Sequence, residues 1–378
     1  MCASFGENNP IGLAIVGCGN VGRIRGQLAR EYPGVEWIGL CDIDEKTGKR
    51  LAEDLNADFF TTDYRELLRR TEINSAILAT DENAHAGTLF ASIEQGHNIL
   101  IEKPLATNAV ESAKIVEAAE RAGADLVVGY TQRFRRRWLV AREQVASGQL
   151  GDITSATTRA FLNRLIAIER LGPNEDRTML TPMVVSGTHA LDLMLWIMGD
   201  SEPDEVYARS VGNVLTGLGT VDSTFSIFSF ADGKLWNMSC CWGLPEQWPA
   251  ATYSMDIGLV GTDGVLTIDD THRDIVLATE KRHQTHRKGR DDKHVSFLTS
   301  YPPGEFIDGH FWGPMREETN AWLARIYTGV STPHATGAEA HRDLMLTMAC
   351  DLSARRKKPV SLPINEEELQ DELSMTNY

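Results

Sequence analysis

The segment Ile11–Gly22, IGLAIVGCGNVG, constrains this chain more than any other. An apolar run ends in Gly17-x-Gly19-x-x-Gly22, and a helical pattern follows at once. The three glycines have separate tasks. Gly17 permits a tight turn, Gly19 lets the main chain approach a pyrophosphate, and Gly22 lets the helix pack closely on the strand. The helix start, with Asn20 and Val21 in the loop, offers open N–H groups and a positive dipole end to phosphate. Asp42 closes the next apolar run, 20 residues after Gly22. An acidic side chain there is expected to bind the adenosine ribose hydroxyls. No arginine follows it directly in Cys41-Asp42-Ile43-Asp44. The expected cofactor is therefore NAD rather than NADP.

Further strands are expected at Val35–Leu40, Ser75–Ala79, Asn98–Ile101 and Asp125–Gly129, besides Ile11–Val16. Helical patterns such as Gly22–Glu31 and Asn108–Ala122 lie between them. This alternation implies a parallel sheet with helices on its faces, a Rossmann domain. After about Arg133 the pattern changes. Trp236, Met238, Cys240 and Trp242 recur at period two, and Asp232-Gly233 and Asp263-Gly264 read as hairpin turns. Residues from about 150 to 280 are thus expected to form an antiparallel sheet, followed by helices near Met315–Tyr327 and Ala338–Arg355. The expected organisation is an α/β NAD-binding domain over residues 1–131. An α+β domain with an open antiparallel sheet, for substrate binding and oligomerisation, takes residues 132–378. One strand carries Phe225 and Ile227 on one face and Phe228 and Phe230 on the other. Helices of the same chain can cover one face; the other is expected to be a subunit interface.

Composition narrows the partners. A net charge of −16 over 378 residues disfavours nucleic acid and anionic lipid. No apolar run approaches the ~18 residues of a membrane span, and the opening MCASFGENNP has no secretory pattern. The six cysteines include no C-x-x-C pair, so reduced thiols, a cytoplasmic setting and no metal site are expected. Lys281, Arg282, Arg287, Lys288 and Arg290, with His283 and His286, form a basic run. It reads as a solvated hairpin loop, or else as a lid over an anionic substrate.

Several motifs together resemble one family. These are the glycine loop, Glu102-Lys103-Pro104 after AILATDENAHAGTLFASIEQGHNILI, the segment Tyr130–Phe134, SGTHALDLMLWIMG with His189 and Asp192, and the ending through KKPVSLP. In this order they are similar to the Gfo/Idh/MocA oxidoreductases, over nearly the whole chain. The resemblance implies a Rossmann domain joined to an open-faced antiparallel sheet, and assembly as homodimers or homotetramers through that sheet. It implies oxidation of a secondary alcohol of a sugar or cyclitol, or the reverse reduction. It places the nicotinamide near Glu102 and Lys103, with Thr80 and His85 beside the cofactor. Two departures stand out. Thr80-Asp81-Glu82 replaces the family's frequent T-P-N, and Val185 stands where many members carry Asp, four residues before the histidine.

The implied chemistry is loss of a hydroxyl proton together with hydride transfer. A histidine is suited to take the proton near neutral pH, and His189 is the candidate. Asp192, three residues later on a neighbouring helical face, serves either to fix its tautomer or to hold the helix itself. Lys103, after a strand end, could stabilise developing alkoxide charge. Without a carboxylate at Val185, substrate orientation falls to Arg133 or Asn163. Two other readings stand beside this one. The arginines Arg133, Arg159, Arg164 and Arg177 would suit a carboxylated cyclic diol. Val185 would suit a non-catalytic NAD sensor, since fold alone does not fix function.

Overall fold

Strand β1 (Ile11–Val16) is buried at every residue, as a central strand of a parallel sheet must be. The structure, a computed structural model, describes residues 9–164, 179–199, 201–245, 253–270, 276–283, 293–297 and 304–376. From β1 the chain alternates through α1 (Asn20–Arg30), β2 (Val35–Cys41), α2 (Glu45–Leu55), β3 (Phe59–Thr61) and α3 (Tyr64–Leu68). It continues through β4 (Ser75–Leu78), α4 (His85–Glu94), β5 (Asn98–Ile101), α5 (Ala109–Ala122) and β6 (Leu126–Val128). The parallel strands lie in the order β6-β5-β4-β1-β2-β3, which reverses direction of build beside β1 and opens a crevice at the strands' carboxyl ends. Helix ends follow local chemistry. Asn108 caps α5 by accepting from the Glu111 N–H at 2.9 Å, and Gly123 ends it in the left-handed region.

The second sheet follows α6 (Arg136–Ala146). It takes β7 (Ile153–Asn163), then, after a π-helical turn at Met183–Gly187 and α7 (Thr188–Met198), β8 (Glu205–Val211), β9 (Ser223–Ser229) and β10 (Leu235–Leu244). Strands β11 (Tyr253–Gly261) and β12 (Val265–Asp270) complete its run. The hairpins expected at Asp232-Gly233 and Asp263-Gly264 are present, joining β9 to β10 and β11 to β12. Every neighbouring pair is antiparallel except β7 with β10, which run parallel. No hairpin joins those two strands; the chain between them passes through α7, β8 and β9 and returns in the same direction. Trp236, Met238, Cys240, Phe228, Met255, Ile257 and Leu259 are buried on one face. The segment before α7 packs there, with Trp242 Nε1 donating to Ser186 Oγ at 2.9 Å. Phe225, Ile227, Leu235, Val260 and Val265 are exposed on the other. Strands β13 (Val276–His283) and β14 (Lys293–Phe297) pair antiparallel; β13 takes in Lys281, Arg282 and His283 of the basic run, and residues 284–290 lie outside those described.

The chain divides into two units, Met1–Arg135 with Phe306–Met345, and Arg136–Glu305 with Leu346–Tyr378. The first unit therefore extends past the boundary expected at 131–132 and takes a second, later segment. After β15 (Glu305–Ile307) and β16 (His310–Trp312), helix α8 (Pro314–Thr328) puts Trp322, Leu323 and Ile326 into one core cluster with Ile11, Leu13 and Leu40. Strand β17 (Ala335–Thr336) pairs antiparallel with β6 at the sheet edge. Helix α9 (Gly337–Arg356) follows. Strand β18 (Val360–Ser361) pairs with β8, and α10 (Glu366–Met375) ends the described chain. No helix among the described residues is long and apolar enough to cross a membrane.

Candidate active site

The glycine loop is shaped by close approach. Gly17 has φ +94°, and a Cβ there or on Gly22 would overlap main-chain atoms, those of Ala79 for Gly17 and the Gly17 carbonyl for Gly22. At Gly19 the reverse holds: nothing lies within 4 Å of where a Cβ would stand. That open space faces the start of α1, where Gly19 is the cap and no side chain bonds the first N–H groups. Asn20 Oδ1 accepts from Arg23 at 3.2 Å, and Val21 packs beside Ile24, Leu28, Phe311 and Met315. At the end of β2, Asp42 accepts from the Cys18 N–H at 2.7 Å and from the Asp44 N–H at 2.8 Å. Its carboxylate is thus fixed against the loop.

The ends of β4 and β5 make the next wall. The Glu102 N–H bonds the Leu78 carbonyl at 3.0 Å. Thr80 Oγ1 is buried with no hydrogen-bond partner. His85 is buried, with Nδ1 2.8 Å from the Pro104 carbonyl and Nε2 3.1 Å from the Thr80 carbonyl. Burial lowers its pKa, against the opposing pull of those carbonyls and of Glu82 and Glu102. Glu102 accepts from Arg25 Nε at 2.7 Å. Arg25 also bonds Glu318 at 2.7 Å and Thr319 at 2.9 Å. Burial would lower the Arg25 pKa, but the two carboxylates raise it overall. Burial pushes the Glu318 pKa up against the pull of Arg25. The crevice fits NAD: an open phosphate cradle at Gly19, a fixed ribose acceptor in Asp42, and an unsatisfied hydroxyl on Thr80.

The remaining candidates divide between the units. Arg133 is buried in the first and paired with Glu339 at 2.9 Å. In the second, Val185 and His189 are the two half-buried residues along Thr181–Asp192, four apart, while Asp192 is wholly buried. Thr181 anchors this segment by donating to Asp351 at 2.6 Å. Asn163 is buried and donates to the Pro245 carbonyl at 3.0 Å. Arg159 pairs with Asp256, and Arg164 bonds the carbonyls of Leu244 and Gly243, each at 3.2 Å. Arg177 lies outside the described residues. Among the described residues, no three His, Cys, Asp or Glu side chains are placed to hold a metal ion.

Sequence reasoning missed Arg25, Glu318, Thr319 and Thr131, whose hydroxyl donates to Glu318 at 2.8 Å. A signal was there: Arg25 sits within the buried stripe of α1 and Glu318 within that of α8, between Met315 and Trp322. A charge on the apolar stripe of a helix asks for a partner.

Comparison with known proteins agrees with this geometry. Residues 11–130 match an oxidoreductase family with an NAD-binding Rossmann fold, and residues 138–267 match the GFO/IDH/MocA C-terminal domain. The inositol 2-dehydrogenase of Rubrobacter xylanophilus is 26% identical over 360 residues, covering 94% of each chain. The myo-inositol 2-dehydrogenase of Thermotoga maritima is 21% identical over 93% of this chain and 98% of its own. Among solved structures, scyllo-inositol dehydrogenase from Lactobacillus casei, with NAD(H) and scyllo-inositol bound, aligns with a TM-score of 0.77 at 15% identity. That alignment covers 93% of this chain and 99% of that one. Two matching domains in the expected order, over most of the chain, identify it as a member of the Gfo/Idh/MocA family of oxidoreductases with an NAD-binding Rossmann domain.

Proposed function

We propose that this chain oxidises a secondary alcohol of a cyclitol, sugar or related polyol, or reduces the matching ketone. The observation that carries the reading is the Glu102-Lys103-Pro104 corner. It is held at the carboxyl end of β5, in the same crevice as the Gly19 cradle and Asp42. When bound, NAD supplies the hydride acceptor. The chain's own part is to orient the alcohol and take its proton. Lys103 hydrogen-bonds the reacting oxygen and stabilises its developing negative charge. His189, half-buried on the first turn of α7, accepts the hydroxyl proton. Asp192, three residues on and wholly buried, is the carboxylate assigned to orient the imidazole or to hold the helix itself. Arg133 and Asn163, already bonded to Glu339 and to the Pro245 carbonyl, shape the substrate's surroundings.

The relatives named above as inositol dehydrogenases support a cyclitol as the first substrate to try. The carboxylated-diol reading is less favoured, because the described arginines it would use already serve carboxylates or carbonyls. The sensor reading rests on apolar Val185. We also propose a cytoplasmic homodimer or homotetramer, joined through the exposed face of the second sheet. The deciding experiment follows NADH formation at 340 nm with a panel of inositols, hexoses and glucosides. Turnover of at least one polyol is expected. Tight NADH binding with no turnover of any would favour the sensor, and turnover only of carboxylated rings would favour the diol acid.

A further inference from the structure

Lys103 lies between two residues that are each pinned by a buried side chain. On one side, Glu102 Oε1 takes Arg25 Nε at 2.7 Å and Nη2 at 2.6 Å. Arg25 belongs to α1, the helix that opens at the glycine loop, and is itself held by Glu318 and Thr319. The side chains of Arg25 and Glu318 are 0% exposed and that of Glu102 is 16% exposed. On the other side, the Pro104 carbonyl lies 2.8 Å from His85 Nδ1, and the opposite ring nitrogen faces the Thr80 carbonyl at 3.1 Å.

We propose that Arg25 and His85 are positioning residues that clamp the main chain on both sides of Lys103 and so aim its ammonium. The proposal rests on the reading of Lys103 as a catalytic group. Lysine carries its charge on a flexible four-carbon stem. Fixing the main chain at its root is what the protein can do before substrate arrives, and small misplacement at a reacting centre is costly. Packing alone does not call for these partners. A buried guanidinium shared by two carboxylates is an expensive way to fill a helix stripe. A buried imidazole facing main-chain carbonyls with both nitrogens is equally specific. A carbonyl only accepts, so the neutral ring that burial favours donates to one of the two, and the clamp takes that proton on Nδ1, at the shorter contact with Pro104.

The test uses full-length His85→Ala, His85→Asn, His85→Gln, Arg25→Lys and Lys103→Ala. Asparagine places an amide nitrogen where Nδ1 stood and can keep the Pro104 bond. Glutamine reaches the Nε2 position and cannot. Three quantities are measured: NADH affinity by fluorescence, kcat and KM with the fastest polyol of the panel, and amide hydrogen exchange in the peptide around Lys103. For His85→Ala and Arg25→Lys, kcat is expected to fall by about 10–10²-fold. NADH affinity should fall by less than kcat does, and exchange should be faster around Lys103. His85→Asn should recover most of both signals and His85→Gln should not. The exchange readout stands even without a substrate, and His85→Asn keeps the test open should Arg25→Lys fold poorly. Unchanged kcat and exchange in His85→Ala and Arg25→Lys, with Lys103→Ala inactive, would overturn the clamp alone. Equal losses for Asn, Gln and Ala at His85 would also overturn it. Full activity of Lys103→Ala would sink the lysine's catalytic role and the clamp with it.

Discussion

Asp42 and Ile43 stand side by side at the end of β2, one bonded into the glycine loop and the other 93% exposed. Replacing Asp42 with Ala removes both the ribose acceptor and the charge that repels a 2′-phosphate. The NADPH-to-NADH affinity ratio is then expected to rise by at least about tenfold, the worth of one charge-assisted bond. Wild-type protein that bound NADPH more tightly than NADH would contradict the assignment. Lys103→Ala and His189→Ala should each lower kcat by roughly 10²–10⁴-fold while NADH still binds; near wild-type turnover in both would remove them from the chemistry. Two other histidines bear on stability. Burial lowers the pKa of His97 to about 4, and burial together with Arg25 lowers that of His334 to about 3. The unfolded chain therefore binds protons at these sites first as pH falls below about 6.5. Their contribution is complete above that pH and is lost on the way down. The loss is up to about 1.4 kcal/mol per pH unit for each histidine. Melting midpoints should fall between pH 6.5 and 5, and His97→Asn should flatten that slope. A flat wild-type profile in this window would refute the account.

Some elements were legible from pattern alone. Strands β1 and β5 run over the expected residues, because a buried parallel strand is a short apolar run bounded by turns. Helices α1 and α5 differ from expectation by a residue or two at their ends. The π-helical turn before His189 was not legible. Its extra residue per turn is set by anchors distant in sequence, Thr181 to Asp351 and Trp242 to Ser186. The placement of α8 was not legible either, since its apolar stripe could have served either sheet. Trp322→Ala should cost about 3–5 kcal/mol in urea unfolding, because the ring fills the first unit's core. A loss below about 1 kcal/mol would contradict that placement. Gly22→Ala should abolish tight NADH binding, since the new methyl group meets the Gly17 carbonyl; unchanged affinity would show that the loop can yield.

The whole molecule presents one face that its described helices leave open. Phe225, Ile227, Leu235, Val260 and Val265 share the outer face of the second sheet, on β9, β10, β11 and β12. Apolar residues gathered in this way mark association. Light scattering at micromolar concentration should give the mass of a dimer or tetramer. Glu at both Phe225 and Ile227 should lower that mass with the circular dichroism unchanged. A monomeric wild type would count against the interface.

The sequence by itself determined the cofactor crevice. Glycine spacing, a following helix and an acid after the next strand are local demands of a phosphate and a ribose, and each is met within a few residues of chain. Period two likewise announced the sheet face built on Trp236, Met238 and Cys240. Only the tertiary structure decided what holds the Lys103 corner. Arg25, Glu102, Thr131 and Glu318 come from four elements up to 293 positions apart. A buried charge finds its partner by proximity in space, which no local pattern encodes. The three crossings between units and the parallel pairing of β7 with β10 escape local pattern too. Both are set by which apolar faces remain to be covered once the local elements have formed.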